Sequence, residues 1–212
     1  MIHSSLRRKL VHETKWSRTY EVEPGYYAYE SKFEADDLSV DLSDVSSGWD
    51  SWSESEKLDF AKAFQEKARM TAGDEQVLEF LMRHGDASVL SSIANCLTRH
   101  PDKAILLPFL LAQLESGSEP KANFLQALGT LGDRSAVPSI EAFHNRLGAD
   151  IKRAGKELNE WLVLDFFASC AALDKLEGTT IHRDDIKPFL SHPTESIAAL
   201  AKMWIDGGPP SR

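Results

Sequence analysis

Two cysteines in 212 residues are too few for a disulfide scaffold or a cysteine-built zinc finger. Cys96 and Cys170 both fall in apolar helical patterns, where a free thiol packs as a small hydrophobe. They are read as buried free thiols of a reducing compartment, and the expected location is cytoplasmic. Long apolar runs are also missing. The longest, Ala104 to Ala112, is interrupted by Pro108 and falls far short of a membrane span. The opening MIHSSLRRKLVHETKW has basic residues but no apolar stretch of signal-peptide length, so secretion is not expected. No GxSxG, P-loop or GxGxxG string occurs, and with them go the usual signatures of a nucleophile elbow or a phosphate cradle. The histidines form neither an HxxxH nor an HExxH pair. His182 with Asp184 and Asp185 comes nearest to a ligand cluster, and it is read as a solvated turn that caps a helix. No metal and no cofactor are expected.

What is present is an ordinary globular composition, 42% hydrophobic and 27% charged, which argues against disorder. A chain of this length buries roughly 70% of its unfolded surface, enough for a real core. The net charge of −9 is unevenly spread. Residues 1–20 carry five bases and one acid, whereas residues 21–59 carry twelve acids and two lysines, or −10. The rest of the chain sums to +1. Such a segment repels nucleic acid and attracts basic surfaces.

From Ser53 onward the pattern is helical with short breaks. Ser53 followed by Glu56 is a capping box, after which Leu58, Ala61, Phe64 and Ala68 line one face. A second helix carries Val77, Phe80 and Leu81 up to Gly85, and a third carries Leu90, Ile93, Ala94 and Leu97 up to Pro101. A fourth, 102–115, is apolar almost all round and is expected to be central. A fifth starts with Pro120 in its first turn, a sixth spans 135–147, and the longest, 156–176, holds Trp161, Phe166 and Leu176. Residues 147–157 are expected to form a long loop. Two shorter helices, 184–190 and 194–205, end the pattern.

The chain repeats itself at a spacing of thirty-one residues: Asn95-Cys96-Leu97 to Asp102 matches Gln126-Ala127-Leu128 to Asp133. In both, a small residue and a leucine close one helix and an aspartate stands where it can cap the next. The run Ala127-Leu128-Gly129-Thr130-Leu131-Gly132-Asp133 followed by Ala136-Val137-Pro138-Ser139-Ile140 resembles the HEAT-repeat signature, and His192 to Leu200 resembles the start of that repeat's second helix. The resemblance covers 55–205. It implies a mainly α fold, a HEAT-like superhelix of antiparallel helix pairs, and an interaction module along an extended face. It transfers no catalytic residue.

The first fifty residues differ. Trp16, Arg18, Tyr20 and Val22 alternate up to Pro24-Gly25, which suits a type II turn; Tyr27, Tyr29 and Phe33 alternate beyond it, and Leu38, Val40 and Leu42 do so again. Period-two patterning reads as a three-stranded meander, the other reading being an extended arm. The expected division is therefore 1–50 as an aromatic and acidic segment, 51–207 as the helical repeat domain, and 208–212 as a disordered tail.

Two candidate sites emerge. Asp165 stands within Trp161-Leu162-Val163-Leu164-Asp165-Phe166-Phe167, and an acid beside tryptophan loosely resembles the arrangement in HEAT-like DNA glycosylases. Those enzymes need a basic groove, which the helices here do not offer, so Asp165 is read as bonded to a neighbouring helix or turned outward. The stronger candidate is partner binding by Tyr27, Tyr29, Asp36, Asp37, Asp41, Asp44, Trp49 and Trp52, since aromatics ringed by carboxylates suit a hot spot for a basic protein. The competing reading packs those aromatics inward, with Trp49 and Trp52 stapling the start of the first helix. The function expected is non-enzymatic protein–protein interaction, more specifically an immunity or inhibitor protein that neutralises a basic toxin. Its partner is a protein, neither nucleic acid nor membrane. The alternative is an enzyme on a HEAT-like scaffold, of the DNA glycosylase or chromophore lyase type.

Overall fold

The computed structural model describes residues 9–23, 26–32, 38, 40–67, 69–117, 120–155 and 157–206. It is mainly helical with one small antiparallel sheet, and it divides into two compact units, Met1–Cys96 and Leu97–Arg212.

In the first unit, β1 (Lys9–Glu13), β2 (Ser17–Glu23) and β3 (Tyr26–Ser31) pair in chain order. Leu10 faces Tyr20 and Thr19 faces Tyr29, with a register shift between Leu10 and His12. The meander exists, but it is displaced along the chain. Lys9–Glu13 supplies a strand whose residues are all exposed, so it carries no apolar alternation to announce itself. Leu38 and Val40, expected in a third strand, belong to none, and Leu42 opens a helix. The Pro24-Gly25 turn lies outside the described residues.

This sheet is pinned to α2 (Glu54–Gln65) through a buried carboxylate. Thr14 Oγ1 and Ser17 Oγ donate to Asp59 at 3.0 and 2.7 Å, and the Tyr29 hydroxyl donates to the Asp59 carbonyl at 3.1 Å. Those bonds offset the cost of burying a charged group at the interface of strand and helix. The capping box expected at Ser53 and Glu56 is formed, and Thr71 with Asp74 repeats it at α3 (Ala72–His84). Asp74 also takes the Lys67 ammonium at 2.8 Å, a buried ion pair whose lysine further donates to the Leu38 carbonyl. A short α1 (Leu42–Gly48) precedes α2, and α4 (Ala87–Leu97) follows α3 to the division between units.

The second unit contains α5 (Lys103–Glu115), α6 (Ala122–Leu131), α7 (Val137–Ala154), α8 (Glu160–Glu177) and α9 (Glu195–Asp206), with 3-10 turns at Ile181–Asp185 and Lys187–Ser191. Its centre is α8, which packs against α6, α7 and α9 and buries residues on every side of its latter half. The expectation that 102–115 would be central is corrected: α5 buries only the stripe Leu106, Leu110 and Leu114, while Ile105 is exposed. The axes of α6 and α8 come close because Gly129 has no side chain. A Cβ there would stand 3.2 Å from the Ala172 Cα. The loop expected over 147–157 is also corrected, because α7 runs on to Ala154 with Gly148 inside it. The two aspartates of the thirty-one-residue repeat do act alike: Asp102 accepts from the Ala104 amide and Asp133 from the Ser135 amide, each at 2.9 Å.

Candidate functional site

Of the residues expected to bind a partner, the structure brings some together and removes others. Asp36 and Asp37 lie outside the described residues, as does the side chain of Tyr27, whose backbone pairs opposite Glu21. Tyr29 is half-buried between the Asp59 carbonyl and the Lys62 ammonium, which stands 5.3 Å from its ring centre. Burial, with the nearby carboxylates, raises its pKa. Trp49 is 4% exposed and packs edge-on against Phe80 at 5.7 Å. It is a core residue; its indole lacks the open face that an anchor needs, and its inward packing is that of the competing reading. Trp52 is half-buried, 5.4 Å from both Trp16 and Phe60.

Asp41 and Asp44 are both exposed on α1. Asp41 caps that helix through the Ser43 amide at 2.8 Å, and this bond, with the Ser43 hydroxyl, holds its pKa below the usual range. Asp44, one turn in, stands at the rim of a pocket of about 150 Å³ walled by Trp16, Leu38, Val40, Val45 and Trp52. Lys15 lines the same rim, its ammonium 4.6 Å from the centre of the Trp16 ring. The pocket owes its indole wall to Gly48, where a Cβ would meet Trp52 Nε1 at 2.7 Å. Chemically it is a small pocket with apolar and indole walls, lined also by an exposed carboxylate and an exposed ammonium.

In the second unit Asp165 is buried, and its Oδ1 accepts from the backbone amides of Lys121 and Ala122, each at 2.7 Å. Burial raises its pKa to about 6 against the lowering pull of those two amides. It is bonded to the start of a neighbouring helix, one of the two placements expected for it.

His182, Asp184 and Asp185 do not converge. His182 bonds Glu177 at 2.8 Å and Asp184 pairs with Lys187 at 2.6 Å. Asp185 instead joins two residues that sequence reasoning left aside, His144 and Cys170, with one ligand-capable atom of each within 4.8 Å of the others. The Cys170 sulfur lies 3.9 Å from His144 Nδ1, and Asp185 Oδ2 lies 3.7 Å from His144 Nε2. Phe166 stacks on the imidazole at 4.5 Å. Burial lowers the His144 pKa, Asp185 opposing it, and burial raises that of Cys170, with Asp185 and Asp174 adding to the rise. Thiol and imidazole therefore both favour their neutral forms, so the trio lacks the thiolate–imidazolium pair of a cysteine nucleophile. The signal available in sequence was faint: His144 shares a helix face with buried Ile140 and Leu147, and Cys170 lies one turn from Phe166.

The chain matches no protein-family model, no curated protein and no solved structure.

Proposed function

We propose that this protein is a non-enzymatic binding module that holds a basic protein partner, and that the slot beside Asp44 receives a lysine or arginine side chain of that partner. The observation that carries the reading is the slot's composition. Trp16, Trp52, Leu38 and Val45 offer apolar walls for a methylene stem, and Asp44 offers a carboxylate for its charged end. The half-buried Trp52 indole adds attraction for the cation. The surrounding segment, −10 over residues 21–59, supplies a field that speeds encounter with a positive surface. The Lys15 ammonium, which lines the same slot, competes with the incoming cation.

The more specific form is an inhibitor or immunity protein that neutralises a basic toxin. A HEAT-like stack of helix pairs is the proposed scaffold of the second unit. It is supported by the packing of α6 on α8, two helices on, together with α7 on α8, its neighbour. The test is capture from the source-cell lysate by the immobilised chain, followed by mass spectrometry, run beside Val40→Trp and Lys15→Ala. A basic protein held by the wild type, lost when the tryptophan fills the slot and held more tightly without Lys15, supports the reading. An acidic partner, or one indifferent to both changes, contradicts it.

A further inference from the structure

The hydrogen bonds around His144 determine which of its nitrogens is available. Ser169 Oγ donates its single proton to the Phe166 carbonyl at 2.6 Å. At 2.9 Å from His144 Nδ1, the same oxygen can then only accept, so the imidazole carries its proton on Nδ1. The Nε2 lone pair is left facing Asp185 Oδ2 across 3.7 Å. Two lone pairs facing each other at that distance repel unless something positive lies between them. A ring nitrogen fixed by a buried hydroxyl is also how proteins orient a histidine toward a metal.

We propose that His144 Nε2, the Cys170 sulfur and the Asp185 carboxylate bind one divalent cation of the zinc class. Nitrogen, sulfur and carboxylate oxygen together make a borderline-soft donor set, which zinc suits and calcium or magnesium does not. Bond lengths near 2.0–2.3 Å place tetrahedral ligand atoms roughly 3.3–3.8 Å apart. One ligand-capable atom of each residue lies within 4.8 Å of the others, so closure needs a movement of about 1 Å. The movement falls on the Cys170 sulfur, now 3.9 Å from Nδ1, by rotation about its Cα–Cβ bond, because Asp185 Oδ2 already stands 3.7 Å from Nε2. Asp184, its neighbour, is engaged by Lys187 and takes no part. Binding replaces the thiol proton, which leaves to solvent, and the fourth position is filled by water. The ion would clip the turn after α8 onto α7 and α8, a role independent of the partner slot in the first unit.

The test is titration of the chelator-stripped full chain with cobalt(II), read by absorption, then displacement with zinc(II). The expected result is one cobalt per chain, with near-ultraviolet thiolate-to-cobalt charge-transfer absorption and tetrahedral d–d bands that zinc abolishes. Cys170→Ala removes the charge-transfer band, and Asp185→Asn, a change at an exposed side chain, weakens binding at least about tenfold. Ser169→Ala weakens it about 10–100-fold by freeing the ring. Circular dichroism checks the fold of each variant, and the wild-type spectrum with Asp185→Asn decides the matter if Cys170→Ala does not fold. Absence of the charge-transfer band at one equivalent, or affinity unchanged by Asp185→Asn, overturns the site.

Discussion

Asp165 of α8 caps α6, a helix that precedes it in the chain with α7 between them. Its Oδ1 accepts the Lys121 and Ala122 amides at 2.7 Å, while the N-cap residue Lys121 offers no side-chain cap of its own. A carboxylate at a helix start also meets the positive end of the helix dipole. The bond holds two packed helices in register as well as satisfying a helix end. Two variants separate these roles from charge. Asp165→Ala should cost about 1–2 kcal/mol, the usual value of a lost cap, measured by urea unfolding. Asp165→Asn keeps an acceptor oxygen, should preserve the fold, and should leave partner binding intact.

The same residue gives a pH prediction. Its pKa is raised in the folded state, from 3.8 to about 6. Its contribution to stability is therefore full below 3.8 and is lost as pH rises through about 6, a difference of about 3 kcal/mol at most. In a comparison of unfolding free energies from pH 4 to 7.5, the wild type should lose ground to Asp165→Asn across that window. A constant gap between the two would show that Asp165 ionises as freely when folded as when unfolded.

Lys67 and Asp74 are both buried and 2.8 Å apart. Burial pushes the Asp74 pKa up, but the bonds from Lys67 and Thr71 outweigh it and the net shift is downward. Lys67→Met leaves that carboxylate without its cation, and the expected loss is about 3–5 kcal/mol. Changing both residues, Lys67→Met with Asp74→Leu, should recover a substantial part of it. No recovery in the double variant would mean that the capping role of Asp74 at α3 outweighs its ion pair.

At the approach of α6 to α8, Leu128 is fully buried and Gly129 faces Ala172. Leu128→Ala should cost about 2–5 kcal/mol through the cavity it leaves. Gly129→Val should cost about 1–3 kcal/mol for the opposite reason, overpacking against backbone that cannot retreat. Thermal unfolding of both, with losses below about half a kilocalorie, would place this contact at the surface.

Much of this architecture was legible where the chain signals locally. The Ser53–Glu56 box, the Asp102 and Asp133 caps and the helices they start all depend on residues within one turn of each other. The elements missed were those decided at a distance. Leu38, Val40 and Leu42 alternate as a strand would, yet Asp41 caps a helix through Ser43, a side-chain bond that alternation does not reveal. The loop expected over 147–157 includes Gly148, but glycine inside a helix costs only about 1 kcal/mol, and the Phe166 ring packs 3.7 Å from where its Cβ would be. The His144 trio draws on two consecutive helices and a turn, so no spacing announces it. Trp49 went inward because Phe80, thirty-one residues on, provides a face for it.

The account rests most on the acidic first unit as the surface that meets a basic partner, and association kinetics across ionic strength test it most directly. Asp36, Asp37, Asp41 and Asp44 are changed together to lysine, and circular dichroism verifies the fold. The rate of association with the captured partner is then measured from low to high salt. The wild-type rate should fall steeply as salt screens the field, and the reversed variant should associate at least about tenfold more slowly at low salt, with a flattened dependence. Equal rates for the two proteins at every salt concentration would contradict the central claim and leave the acidic segment as a solvated flank.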